Sequence, residues 1–273
     1  MSKKLDDESF LYHYTAIGTA EKVVRSREIW ATNIYYLNDG SEFRHGIKLI
    51  RRLLGAFAEK DRLSQSFLEA VEWSALESPK LTVFVVSFSE SGDLLSQWRS
   101  YCPPNRGVSL GFEKADLQAA ALRQGFELMR CTYNVRRQNR EMKQIAALWR
   151  ARYASATTDG ERSSIVDDFA THFARAAASY KDPSFAEEQE WRLVAVRRGD
   201  SSQIRYREGL STLIPYVTFQ LPTDGRDRLR MRRVVVGPTP HWELTCNAVG
   251  NMVHHGNVLW GQVTPSRTPF RAW

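Results

Sequence analysis

Three clusters of polar residues stand at the ends of apolar stretches, where such side chains either satisfy one another or act on a ligand. In FAEEQEWRLVAV, Phe185 to Val196, a strand beginning near Glu188 would carry Glu188, Glu190 and Arg192 on one face. Trp191, Leu193 and Ala195 take the other face. Two carboxylates and a guanidinium then meet where the strand leaves the core, a costly place for charge unless it is paired or turned on a substrate. The plainest assignment is a Glu–Arg pair at a strand start. A second cluster is His13 with Thr15, alternating with aromatic residues in FLYHYT; a lone histidine of this kind is most often a satisfied core residue. The third is Ser87 and Ser89, which end an apolar run and lead to Gln97, Trp98, Arg99 and Tyr101. A capped turn against which Trp98 packs would explain it without chemistry. All three put hydrogen-bonding groups at strand ends, where sites are often built.

The elements that position these clusters follow from periodicity. Phe10 to Thr15 reads as a strand, Ala16 to Ser26 as a helix, and Glu28 to Tyr36 as an aromatic, β-branched strand. Asn38-Asp39-Gly40 is a turn, with Asp39 or Ser41 capping a helix through Phe43, Ile47, Ile50 and Leu54. A second helix runs from about Leu63 to Leu76 and stops at Ser78-Pro79. Leu81 to Ser89, LTVFVVSFS, is apolar on both faces as far as Ser87, as expected of a central strand. A short helix or turn, Asp93 to Tyr101, precedes a strand Gly107 to Phe112, a helix Ala115 to Arg123 and a strand Phe126 to Tyr133. From Val135 to about Ser179 the pattern is helical, broken near Asp159; we read this as a helical insertion at about 135–180 in a single domain, 1–273. Later strands are expected at Trp191 to Arg197, Leu213 to Phe219, Arg233 to Val236 and Val258 to Val263, with a helix opened by Thr239-Pro240 and running to about Met252. The order suggests an α+β domain with a mixed sheet, not alternating βαβ units.

Composition narrows the class. The 273 residues are 42% hydrophobic and 25% charged, ordinary for a globular chain. No apolar run is long enough to span a bilayer, and MSKKLDDESF has no apolar core of a signal peptide, so the expectation is a cytoplasmic chain without membrane attachment. Three scattered cysteines, Cys102, Cys131 and Cys246, argue against a disulfide framework or a cysteine zinc site. His254-His255, His45 and His172 lack metal-ligand spacing, so no metal is expected. The net charge of +7 is concentrated in Arg136, Arg137, Arg140 and Lys143, and in Arg226 to Arg233. Such runs are usually solvated faces, though they also favour phosphate, in nucleic acid or in a cofactor.

Taken together, LYHYT, EIWATNIYYLNDGSE, SFSESGDLLSQWRSY, RGVSLGF and EEQEWRLV resemble a large bacterial family of uncharacterised domains, over about Leu11 to Val194. A more remote similarity joins the histidine-bearing first strand, the following helix, the aromatic second strand and the late Glu-x-Glu strand to the ADP-ribosyltransferase superfamily. That resemblance implies a fold of that type and NAD as substrate. It implies that His13 and Thr15 hold the nicotinamide-side ribose, and that Trp30, Tyr35 or Tyr36 stacks on the nicotinamide. Glu190 becomes the catalytic carboxylate and Glu188 its accessory acid, with Arg99 or Arg192 binding pyrophosphate or holding the glutamates. Ser87-Phe88-Ser89 is loosely similar to the serine motif of arginine-type transferases, which carry an arginine where this chain has His13, so two signatures are mixed. A carboxylate beside a developing oxocarbenium is the chemistry such cleavage needs. The expected function is therefore an ADP-ribosyltransferase-like toxin or antiviral effector with a nucleic-acid or protein acceptor. Two rivals stand beside it: a non-catalytic nucleic-acid or nucleotide-binding module using Trp98, Arg99 and the neighbouring tyrosines, and a hydrolase of NAD or a nucleotide using the same glutamates.

Overall fold

The computed structural model describes residues 9–37, 40–71, 81–259 and 261–269, without the side chains of residues 40–42 and 45. The turn expected at Asn38-Asp39, its capping side chain and the helix stop at Ser78-Pro79 lie outside these. The sheet is organised around β3, Leu81–Ser89, whose residues Val83 to Val86 are all buried, as their unbroken apolar run demands. One edge of β3 pairs along its whole length with β6, Glu190–Arg198, from Leu81 opposite Arg198 to Ser89 opposite Glu190. The other edge is shared. β1, Phe10–Ala16, meets it at Ser89 through Tyr12, and β2, Glu28–Asn33, meets it at Val85 and Phe84.

From that fork the sheet runs in two branches. One continues from β1 through β4, Gly107–Glu113, and β9, Arg233–Val236, to β10, Gln262–Pro265. The other continues from β2 through β8, Leu213–Gln220, to β7, Arg205–Glu208. β5, Glu127–Arg130, extends the far side of β6. The named strand pairs are antiparallel except β10 on β9, giving a mixed sheet.

Helices cover both faces. On one, α1 (Ile17–Ser26), α5 (Lys114–Arg123) and α8 (Trp242–His255) bury Val23, Val24, Leu117 and Val253 against Leu11, Phe88, Leu110, Leu193 and Phe219. On the other, α2 (Gly40–Ala58), α3 (Arg62–Val71), α6 (Val135–Ser155) and α7 (Asp159–Ala178) enclose Val83, Val85 and Val194. On that same face α4, Leu95–Tyr101, packs Trp98 against Tyr12 and Tyr14 of β1. The molecule is thus an α+β domain, and α6 and α7 enter between β5 and β6. Thr158 and Glu161 form a reciprocal capping box that starts α7, which explains the helical break near Asp159.

Several boundaries differ from expectation for local reasons. β2 stops at Asn33, whose side chain accepts from the Tyr35 amide and turns Ile34–Tyr36 into a 3₁₀ segment. β5 stops at Arg130 rather than Tyr133. Thr239 accepts from the His241 amide, so α8 opens at Trp242 and runs to His255. The last strand lies at Gln262–Pro265 because Leu259 is taken instead by the Leu229 carbonyl. β7 was not foreseen; RYRE has no apolar alternation, as befits an exposed outer strand.

Candidate functional site

Glu188 lies before β6, not on it. It ends a 3₁₀ turn, Pro183–Glu188, and Gln189 follows in the left-handed region at φ 45°. The expectation that Glu188, Glu190 and Arg192 share one strand face is therefore corrected for Glu188. The turn nevertheless bends its carboxylate back beside Glu190. What joins them is Lys181, between α7 and the turn: its Nζ lies 2.6 Å from Glu188 Oε2 and 2.6 Å from Glu190 Oε2. Arg192 completes the group, with Nε 2.7 Å from Glu190 Oε1 and a second guanidinium nitrogen 3.0 Å from Oε2. Its remaining terminal nitrogen donates to Ala178 O at 2.8 Å, a cation set on the C-terminal end of α7.

All four side chains are buried, Glu190 at 3% and Arg192 at 1% exposure. Two positive and two negative charges balance, which is what a dry site demands. Burial alone would raise the Glu190 pKa, but the Arg192 guanidinium and the Lys181 ammonium override it and hold the carboxyl down at about 2. Backbone contacts fix the frame. The Glu190 amide donates to Tyr133 Oη at 2.7 Å, the Cys131 amide to Glu190 O, and Ser89 Oγ to Glu188 O at 2.8 Å. Sequence reading missed Lys181, since YKD after a helix looks like a solvated exit and carries no periodic signal.

The strand register sets what stands beside this group. Glu190 lies opposite Ser89, Ser89 opposite Tyr12, Tyr12 opposite Gly111, Gly111 opposite Arg233 and Arg233 opposite Gln262. These residues form one row across the α4/α7 face of the sheet. The Tyr12 ring lies over Gly111, where an added Cβ would come within 2.8 Å of the ring, and its hydroxyl accepts from Arg233 at 3.0 Å. Past Tyr12 the row opens into a cavity of about 770 Å³ walled by Tyr12, Arg233, Val235, Gln262, Thr264 and Arg267.

The other sequence candidates divide between the two faces. Ser87, opposite Arg192, and Ser89 share the face of Glu190. So does Trp30: Thr32 is opposite Val85, and Trp30 points the same way. His13 and Thr15 do not. His13 stands opposite Leu110 and Thr15 opposite Val108, both in the core under α1 and α5. The His13 ring lies against Phe88 with centroids 5.7 Å apart, and Nδ1 is 3.0 Å from Ser87 O. Burial keeps its pKa below the ordinary histidine value, so it is a neutral packed residue. The joint placement of His13, Thr15 and Glu190 in one cleft is corrected, because the Tyr12–Ser89 register turns β1 so that His13 faces away.

Trp98 is also corrected. It is buried at the edge of the Tyr14 ring, with centroids 4.6 Å apart, and Nε1 donates to Asp93 at 2.8 Å, so it is a packing residue and no base stacks on it. Arg99 is exposed at the end of α4 and Tyr101 is half-buried against the Tyr12–Trp98 cluster. Tyr35 stacks edge-on against Phe43, and Tyr36 is exposed beyond β2. Among the described residues no group of three His, Cys, Asp or Glu could hold a metal ion, and no helix is long and apolar enough to cross a membrane.

Residues 97–193, from α4 to the start of β6, match a family model described as "Protein of unknown function (DUF2971)". No curated protein and no solved structure matches the chain. The matched stretch takes in Lys181, Glu188, Glu190 and Arg192, and excludes β1 to β3.

Proposed function

We propose that the chain is an ADP-ribosyltransferase-like enzyme that cleaves the nicotinamide–ribose bond of NAD and passes ADP-ribose to an acceptor. The reading is carried by one observation: Glu188 and Glu190 converge on a single cation, each 2.6 Å from Lys181 Nζ. Carboxylates gathered around a positive charge are what an oxocarbenium-like sugar needs in the transition state. Support also comes from topology. The strands that bear the resemblance, β1, β3 and β6, are neighbours with the Ser-Phe-Ser strand in the middle, and Ser89 stands opposite Glu190.

The reading is narrower than the resemblance implied. His13 and Thr15 take no part, and the β1 residue on the side of Glu190 is Tyr12. The adjoining cavity is lined by Arg233 and Arg267 and also by Glu90 and Asp93, so its charge is mixed and it assigns no part of the substrate. At 3% exposure Glu190 meets substrate only when Lys181 or the 183–188 turn moves aside, with the substrate cation taking the place of the ammonium. In the reaction the C–N bond breaks with its electron pair going to the nicotinamide, which leaves neutral. A nucleophilic oxygen or nitrogen of the acceptor bonds to the sugar carbon, and its proton passes to a carboxylate, for which Glu188 is placed.

Purified protein incubated with NAD, with and without nucleic acid or lysate, tests this by release of free nicotinamide. Release that falls roughly a hundredfold or more in Glu190→Gln supports the assignment. Absence of release under every condition rejects it, together with NAD hydrolysis. Release without a labelled acceptor assigns hydrolysis in place of transfer.

A further inference from the structure

We infer that the open face of β2, β8 and β7 is a stacking platform for single-stranded nucleic acid, centred on Trp30 and Tyr216. Trp30 is 47% exposed although its neighbours Ile29 and Ala31 are core residues on the opposite side of the strand. It is not a loose surface ring. It lies flat on Tyr216, with centroids 4.4 Å apart and planes 24° from parallel, and Tyr216 is itself buried. A scattered exposed tryptophan means little. One held in place with its outer surface open presents a fixed aromatic plane, and every nucleobase has a face to match it.

The flanking charges are placed to meet a phosphate backbone. β7 sets Arg205 opposite Tyr216 and Arg207 opposite Ile214, on the face that carries Trp30. Two positions along a strand put them about 6.6 Å apart at their backbones. Neither arginine side chain has an ion-pair or hydrogen-bond partner among the described residues; Arg205 is exposed, and Arg207 is half-buried with its Nε buried and unbonded. The arginine-rich segment near β9 differs in this respect. There Arg228 pairs with Asp224 at 2.7 Å, Arg230 with Asp116 at 2.5 Å and Arg232 with Glu113 at 3.2 Å. Glu28, on the platform face, is occupied by the Gln220 amide at 2.5 Å.

An open sheet with a rigid ring and arginines on the outer strand reads unstacked bases, which a duplex does not offer. The binding claim rests on this surface alone. Combined with the reading above, it names single-stranded nucleic acid as the acceptor class.

Fluorescence anisotropy with labelled oligothymidylate and oligouridylate of roughly a dozen nucleotides, without NAD, tests the platform separately from any catalysis. Wild-type protein is expected to bind the single strands more tightly than a duplex of equal length. Trp30→Leu should weaken binding about tenfold or more, and Trp30→Phe should restore most of it. Arg205→Gln with Arg207→Gln should flatten the slope of log affinity against log salt by about 1.4. No binding, equal binding of duplex, or equal binding by Trp30→Leu overturns the inference. Displacement of the oligonucleotide by equimolar NAD also overturns it and gives the ring to the dinucleotide. These outcomes are independent of nicotinamide release, so either reading can fail alone.

Discussion

Two regions on one face of the sheet treat charge in opposite ways. At the start of β6, Lys181, Glu188, Glu190 and Arg192 are buried and each charge meets an opposite one within 3 Å. On β7, Arg205 and Arg207 have no counter-charge among the described residues, and the ring between them and the core, Trp30, is open. The first arrangement fixes both carboxylates in one orientation and holds Glu190 ionised. The second leaves Arg205 exposed and Arg207 half-buried, with no counter-charge beside either among the described residues. Orientation suits bond cleavage, where charge must be in place before it is needed, and availability suits capture.

The largest effect expected of this contrast is in stability. Lys181→Met strands two buried carboxylates beside a single guanidinium and should cost about 3–5 kcal/mol in urea denaturation. Arg205→Gln should stay within about 0.5 kcal/mol. A Lys181→Met cost near zero would mean that water reaches the cluster and the contrast is lost.

The next effect is acid sensitivity. Glu190 has a folded pKa depressed from 4.5 to about 2. Its contribution is therefore fully present above pH 4.5 and is lost as pH falls through that window toward 2. The amount is on the order of 3 kcal/mol. Stability measured against pH should fall across this range in the wild type, and the corresponding slope should be missing in Glu190→Gln. An unchanged slope in the variant would assign the acid limb to other carboxylates.

A smaller effect is expected at Asp93, which ties α4 to the segment after β10 and lies outside both regions. Asp93 accepts from Trp98 Nε1, the Arg267 amide, Ser266 Oγ and Thr268 Oγ1. Burial opposes its ionisation, and these four donors together keep its pKa below normal. Asp93→Ala should cost about 1–3 kcal/mol and speed hydrogen exchange at Arg267, leaving exchange at Cys131 and Glu190 unchanged.

Much of this fold was legible because apolar periodicity writes it directly. β3 is readable from LTVFVVSFS, and the α6–α7 break from Thr158-Asp159-Gly160. The site was legible in part. Glu190, Arg192 and Ser89 do meet, but alternation could say only that His13 differs in direction from Tyr12 and Tyr14. Which direction faces Glu190 depends on the pairing of Tyr12 with Ser89, residues far apart in sequence, and no local pattern encodes that register. Lys181 was invisible for a related reason: its partners are delivered by the turn at 183–188, whose bend depends on Gln189 adopting φ 45°. The second basic run, read as a solvated face, differs for the same reason. Arg228, Arg230 and Arg232 look available in sequence and are paired in three dimensions.

The fork at β3 bears on how the chain is made as well as on what it does. β3 has apolar residues on both faces, and its fully paired edge is closed by β6, the strand that follows two long helices. During synthesis β3 therefore emerges well before its longest partner. It waits with one edge open, and such an edge recruits other chains. The nascent chain should depend on α6 and α7 to collapse over the Val83–Val85 face in that interval. Folding should be slow, governed by the late arrival of Glu190–Arg198 rather than by any local step.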